Sequence, residues 1–308
     1  MDYISNNMWV VKYRKLFYTI SAILVLGSLV SFFVYGLKPG IDFTGGTLIE
    51  VSYAGTRPEQ SVISAALAKI DPAASVRVGT SQKGEQEFIV RMKEVNQAEK
   101  AAVMSALSLN EAAPITVKTF DSIGPVLGAE ALRKSVVSVI LVILGIVLYI
   151  TFAFRKVSEP VQSWKYGLVA IVALVHDVII PTGVFSVLGH FKGYEVDTLF
   201  VTALLVILGF SVHDTIVVFD RVRENLRHAS AKKPFGEIVG ESVSQTFTRS
   251  INTSLTTLIA LTVLYFVGGS TTEHFSLALI IGIFVGTYSS IFIGSTLLVT
   301  IETWRKKK

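Results

Sequence analysis

Six apolar runs constrain this chain more than any other feature. They lie near Leu16–Gly36, Val136–Phe154, Tyr166–Leu188, Thr198–Phe219, Ile251–Val267 and Phe275–Ile301. Each approaches or exceeds the roughly 20 residues needed to cross about 30 Å of hydrocarbon. A segment in lipid has to satisfy its own backbone hydrogen bonds, which an α-helix does alone. The runs therefore predict six transmembrane helices. The fifth is the most diluted, by Asn252 and several Thr residues. Composition agrees, with 51% of the 308 residues hydrophobic and only 17% charged, against about 25% charged in soluble domains. No small-residue cleavage site follows the first run, which is also long for a signal-peptide core, so it is expected to remain as a span.

The net charge of +5 carries no nucleic-acid signature, because the basic residues form no patch interleaved with aromatics. They sit at the ends of the apolar runs. Lys12, Arg14 and Lys15 precede the first. Arg155, Lys156 and Lys165 lie between the second and third, and Arg221, Arg223, Arg227, Lys232, Lys233 and Arg249 between the fourth and fifth. Arg305, Lys306, Lys307 and Lys308 follow the sixth, whereas the two short loops on the opposite side carry only Lys192. Cytoplasmic loops hold the excess of Lys and Arg. The pattern predicts a multi-pass cell-membrane protein with both termini cytoplasmic. Trp9, Trp164 and Trp304 fall at the same interface. The expected organisation is a cytoplasmic N-terminus over 1–15, a first helix over 16–36 and an external domain over 37–132. The rest of the bundle covers 133–301 and a basic tail 302–308. The sequence has no cysteine, which excludes disulfides, Fe–S clusters and thiolate metal sites.

Residues 37–132 have ordinary soluble composition. Thr47–Tyr53, Ser75–Thr80, Glu87–Met92 and Ile115–Phe120 read as strands, with a turn around Lys83-Gly84. Helical patterns open after Arg57-Pro58-Glu59, with Pro58 in the first turn, and over Gln97–Leu107. The order βαββαβ is that of an α+β ferredoxin-like domain. It contains neither His nor Cys, and its acidic residues read as a solvated surface. That favours a binding or structural role over catalysis.

Ionisable residues inside spans cost at least about 2.5–3.5 kcal/mol at the centre and need a reason. His176-Asp177 lies near the middle of the third run and His213-Asp214 in the fourth, with Arg249 at the start of the fifth. Neighbours on a helix point about 100° apart, so the two members of each pair do not face one groove equally. One reading is a proton or ion relay. Desolvation favours the neutral form of a carboxylate and a nearby guanidinium the charged form. Movement of Arg249 against Asp214 would then load and unload a proton. The other reading is a static polar pair that pins helices together. No set of three or four convergent donors suggests a metal, and no cofactor is expected. Gly209, Gly282, Gly286 and Gly294 suit close helix approach, with Gly282 and Gly286 in G-x-x-x-G spacing. Pro181 suggests a kink, and Asp220-Arg221 suggests the membrane boundary.

Gly40-Ile41-Asp42-Phe43-Thr44-Gly45-Gly46, directly after the first span, resembles the signature of the SecF branch of the SecD/SecF family, in the RND superfamily. Asp42, Phe43, Thr44, Gly45 and Gly46 carry it, and Phe43-Thr44 distinguishes it from the SecD form. The stretches Ser122–Gly128, Ala173–Ile180, Ser211–Asn225 and Gln245–Ser250 agree in order, followed by Gly268-Gly269 and Phe275–Leu277. His213 stands where many members have Asn.

The resemblance implies half of an RND-type transporter, six helices with an external ferredoxin-like domain. Its expected partners are SecD, the SecYEG channel with SecA, YajC, an unfolded exported polypeptide and membrane lipid. The implied function is protein export driven by the proton-motive force, with no enzymatic step. Asp214 and Arg249 match the family's charged proton-pathway positions, Asp177 matches another polar position of the bundle, and His176 and His213 stand beside them. The rival readings are half of a small-molecule or lipid exporter and a membrane scaffold without ion coupling.

Overall fold

The computed structural model describes residues 8–80, 86–155, 162–230 and 232–306. The expected turn at Lys83-Gly84 lies outside them, as do Lys156, Lys307 and Lys308. In chain order the helices are α1 (Trp9–Lys12), α2 (Arg14–Tyr35), α3 (Ile41–Thr44), α4 (Gln60–Ala68), α5 (Gln97–Leu107), α6 (Pro125–Ala153), α7 (Ser163–Lys192), α8 (Thr198–His228), α9 (Phe235–Val267), α10 (Ser270–Tyr288) and α11 (Ser295–Lys306). A π-helical segment, Ser289–Gly294, joins α10 to α11. Among the described residues, six helical stretches are long and apolar enough to cross a membrane: α2, α6, α7, α8, α9 and the continuous α10–α11 unit.

Between α2 and α6 stands a four-stranded sheet of β1 (Gly46–Tyr53), β2 (Ser75–Thr80), β3 (Gln86–Met92) and β4 (Ile115–Ile123). Its order is β2-β3-β1-β4, with every neighbouring pair antiparallel. That is the ferredoxin-like topology the element order predicted. One face is covered by α4 and α5. Ile49, Val51 and Tyr53 of β1 meet Ile63, Leu67, Val103 and Leu107 there, together with Phe88 and Val90. Asn96 and Glu99 form a capping box on α5, satisfying backbone N–H groups that the first turn cannot pair internally.

Several expectations for this region are corrected. Pro58 does not enter the first helical turn. It stands before the N-cap, Glu59, and the helix starts at Gln60. Asp71, Glu50 and Glu87 are buried rather than solvated. Asp71 accepts from the backbone of Ala73 at 3.0 Å and Lys93 at 2.7 Å, which compensates its burial. Glu87 pairs with Lys118, and Glu50 accepts from Thr119 at 3.1 Å.

The membrane helices are longer than the apolar runs. α6 begins at Pro125, in the N1 position that suits proline, well before Val136. α9 begins at Phe235 rather than near Ile251, and α8 continues to His228, past Asp220-Arg221. Hydropathy sees only the part that needs lipid; a helix continues as long as its backbone bonds and one packed face support it. α7 runs unbroken through Pro181, and Thr182 Oγ1 donates to Val178 O at 2.7 Å. Gly282 and Gly286 face Ile207 and Ser211 of α8, four residues apart on both helices, as close packing requires. Gly209 does not act this way, since nothing lies within 4 Å of the Cβ it lacks.

The signature glycines make the junction between bundle and sheet. Gly45 and Gly46 take φ values of +74° and +112°, where a side chain is strained. A Cβ on Gly45 would lie 2.8 Å from Pro125 Cα, and one on Gly128 would lie 2.9 Å from Gly45 N. The turn after the first span is thereby pressed onto the start of the second. Gly45→Ala should cost about 1–2 kcal/mol for the left-handed backbone and about 1–3 kcal/mol more for overlap. The unfolding midpoint in detergent should drop accordingly. Gly55→Ala, with open space around it, should leave the midpoint unchanged, and equal shifts for the two would refute the assignment.

Candidate functional site

The polar residues of the spans gather where α7, α8, α9 and the sixth span meet. Asp177 is fully buried on α7. Ser211 Oγ of α8 donates to its Oδ2 at 2.5 Å, and Ser289 Oγ of the π segment donates to the same atom at 2.8 Å. His176 Nδ1 lies 2.8 Å from Oδ1. Three helical units thus converge on one carboxylate. Gly286 makes room for this, since a Cβ there would sit 3.1 Å from Ser211 Cβ and 3.6 Å from Asp177 Oδ2.

Next along the seam, Thr215 and Ser290 share a hydrogen bond at 2.9 Å, and Ser290 also donates to Ser211 O at 3.1 Å. Ser254 of α9 and Thr287 of α10 share another at 2.6 Å. Ser289 and Ser290 are adjacent yet both fully buried. One bonds to α7 and the other to α8, which the wider π turn permits. Such turns are often found at functional sites.

Asp214 lies one turn beyond Ser211 and is 3% exposed. Among the described residues its Oδ2 has no hydrogen-bond partner. The groups that act on this carboxylate are His213, Arg249 and Ser250. His213 and Arg249 are both exposed on the outer surface of the bundle. Thr248, Asn252 and Thr256 join Arg249 there, so α9 carries an exposed polar stripe within an apolar span.

The structure therefore treats the two His-Asp pairs differently. In the fourth span the members diverge, with Asp214 inward and His213 outward. In the third span both turn inward and bond to each other, contrary to the angular expectation. His176 also stacks on Tyr288, with ring centroids 6.2 Å apart, and its Nε2 has no partner among the described residues. Among the described residues, no three His, Asp or Glu side chains converge as a metal site would require. Sequence reasoning missed the hydroxyls Ser211, Thr215, Ser250, Ser254, Thr287, Ser289 and Ser290. Their signal was present as four-residue spacings, Ser211 with Thr215 and Ser250 with Ser254, beside an intramembrane carboxylate.

The signature turn is placed at the other end of α8. Asp42 Oδ2 accepts from Thr198 N at 3.0 Å and from the Thr198 hydroxyl. Lys38 and Val196 are joined by a backbone bond of 2.9 Å, and Gly40 N donates to Val196 O at 2.8 Å. Arg91 of β3 pairs with buried Glu195, with Lys38 3.6 Å from the same carboxylate. Burial, and then Arg77 alongside, holds the Arg91 guanidinium down to about 10. The crowded cations depend on Glu195 for compensation.

Residues 104–304 match the family described as protein export membrane protein SecD/SecF, C-terminal, and residues 30–56 match the SecD/SecF GG motif. The chain is 43% identical over 302 residues to the protein translocase subunit SecF of Thermobaculum terrenum, covering 95% of this chain and 93% of that one. It is 37% identical to SecF of Anaerolinea thermophila, covering 95% and 94%. It superposes on the crystal structure of SecDF, a translocon-associated membrane protein from Thermus thermophilus, with a TM-score of 0.79 at 32% identity. That match covers 96% of this chain and 38% of SecDF. With these matches the chain belongs to the SecD/SecF family of protein export membrane proteins, on its SecF branch, as a SecF-like subunit of the protein translocase.

Proposed function

We propose that this chain is the SecF half of an ion-coupled export unit. Its partner is SecD, and the two work beside SecYEG and SecA, with YajC, on an unfolded polypeptide emerging outside the cell. Asp214 carries the coupling proton and Arg249 sets its affinity. Asp177, His176 and His213 line the polar route. The observation that carries this reading is the unpartnered Oδ2 of Asp214, buried beside a guanidinium that faces out of the bundle. A buried carboxylate oxygen without a donor is costly, and persists where its protonation is used. The polar stripe of Arg249, Asn252 and Thr256 supports a protein neighbour, because lipid would meet those groups at a penalty. A SecD bundle covering it would close the site.

The two carboxylates have different roles. Asp177 is saturated by three side chains and ties α7, α8 and the sixth span together, whereas Asp214 is free to change state. Asp177→Asn should destabilise the bundle by roughly 1.5–3 kcal/mol, the range for hydrogen bonds to a charged group. It should lower the yield of SecD–SecF complex. Asp214→Asn should leave thermal stability and complex yield intact. Release of a secreted precursor should then fall about 10²-fold or more, the scale of losing a positioned proton carrier. Export at the parental rate with Asn at 214 would support the scaffold reading instead.

The Lys and Arg distribution supports cytoplasmic termini and an outward-facing ferredoxin-like domain. The natural absence of cysteine makes this directly measurable. Lys192→Cys should react with a membrane-impermeant maleimide added outside intact cells, and Ser230→Cys only after the membrane is opened. The reverse pattern would invert the topology.

A further inference from the structure

α8 is the helix that bears Asp214, and its outer end is not free. Its first backbone N–H groups have no partner within the helix. Two carboxylates supply them. Asp197, the N-cap, accepts from Phe200 N at 2.7 Å, and Asp42, brought from the signature turn, accepts from Thr198 N at 3.0 Å. The second carboxylate is remote in sequence, so it couples two separate parts of the fold. Asp42 also takes the Thr198 hydroxyl, and a helix N-terminus favours negative charge.

Three further features make this contact a joint rather than an isolated cap. The segment before it is pinned on both sides of Val196, through Lys38 O and Gly40 N. One residue earlier, Glu195 is held by Arg91 of β3. On its far side, the turn carrying Asp42 presses on Pro125 and Gly128 at the head of α6 and runs without a spacer into β1, which lies between β3 and β4 of the sheet. Residues 195–198 therefore meet the sheet through the Glu195–Arg91 ion pair, and the turn that leads into the sheet through backbone bonds and a charged cap. Asp214 is sixteen residues further along α8, about 24 Å at 1.5 Å per residue.

We infer that Asp42 is a positioning residue that transmits displacement of α8 to the external domain, so that ion movement at Asp214 reorients β1 and the surface it supports. The inference rests on the ion-coupled reading above. It gives the signature acidic residue a mechanical role, as the link between the proton-carrying helix and the sheet. A rigid helix held at its outer end moves that end when its middle shifts, whereas a helix released there moves alone.

The test measures two quantities on the same membranes, with the chain assembled with its SecD partner. One is proton flux into inverted vesicles, read with a pH-sensitive dye. The other is release of a secreted precursor. Asp42→Ala should retain flux that Asp214→Asn abolishes, while release falls about tenfold, as expected when a hydrogen bond to a charged group is lost. Asp42→Asn keeps an acceptor for Thr198 N and should recover most of the release. If Asp42→Ala lowers flux and release in parallel with the amount of assembled complex, Asp42 is only structural and the inference is overturned. Normal release in Asp42→Ala overturns it as well. If Asp214→Asn leaves flux unchanged, the ion-coupled reading itself fails and the joint fails with it, a result distinguished by the Asp214 variant alone.

Discussion

Asp177 takes hydrogen bonds from Ser211 and Ser289 on one oxygen and meets His176 on the other. Hydrocarbon provides no substitute donors, so these contacts have to come from the chain. Much of the bundle is arranged to supply them. Gly286 lets α10 approach α8 closely, and the π segment turns two consecutive serines inward to different helices. Gly282 continues the close approach past Ile207. Moving any of these helices by a fraction of a turn would leave a carboxylate unpaired in a medium where that is expensive. The interaction therefore fixes the relative register of three spans.

Against that fixed point, Asp214 stands out by what it lacks. It belongs to the same helix as Ser211, one turn on, and is almost as buried. Among the described residues its Oδ2 has no hydrogen-bond partner, and the one hydroxyl that acts on the carboxylate is that of Ser250. His213 and then Arg249 act on it electrostatically, and both side chains are exposed on the outside of the bundle. The same seam thus holds one carboxylate bonded by three side chains and another whose Oδ2 has no hydrogen-bond partner among the described residues. The two carboxylates share no hydrogen bond, so the packing around Asp177 does not depend on the contacts of Asp214.

Much of this was readable from residue types and spacing. Span number follows from apolar length, which is a local property, and the four strands and two helices of the external domain follow from period and turn residues. The helix ends did not follow. Pro125 and Phe235 begin helices in polar sequence, where packing rather than hydropathy sets the limits. The difference between Asp177 and Asp214 was also hidden. Both follow a histidine in an apolar run, and both look alike in one dimension. What separates them is a pair of serines, 211 and 289, far apart in sequence, which only the packed bundle brings to Asp177. Buried Asp71, Glu50 and Glu87 were misread for the same reason, since their partners lie on other elements.

The end of the bundle next to the sheet shows the same logic with charges in place of hydroxyls. There the glycines of the signature turn remove side chains so that backbone can meet backbone at Pro125 and Gly128. Asp42 and Glu195 then bind across the gap that remains. Hydroxyls suffice deep in the seam, where a carboxylate needs neutral donors and an added charge would need its own compensation. At the other end the charges are compensated in place, Glu195 by Arg91 and Lys38, while Asp42 caps the start of α8. The chain therefore uses neutral donors around Asp177 in the seam, and compensated charges where the bundle meets the sheet.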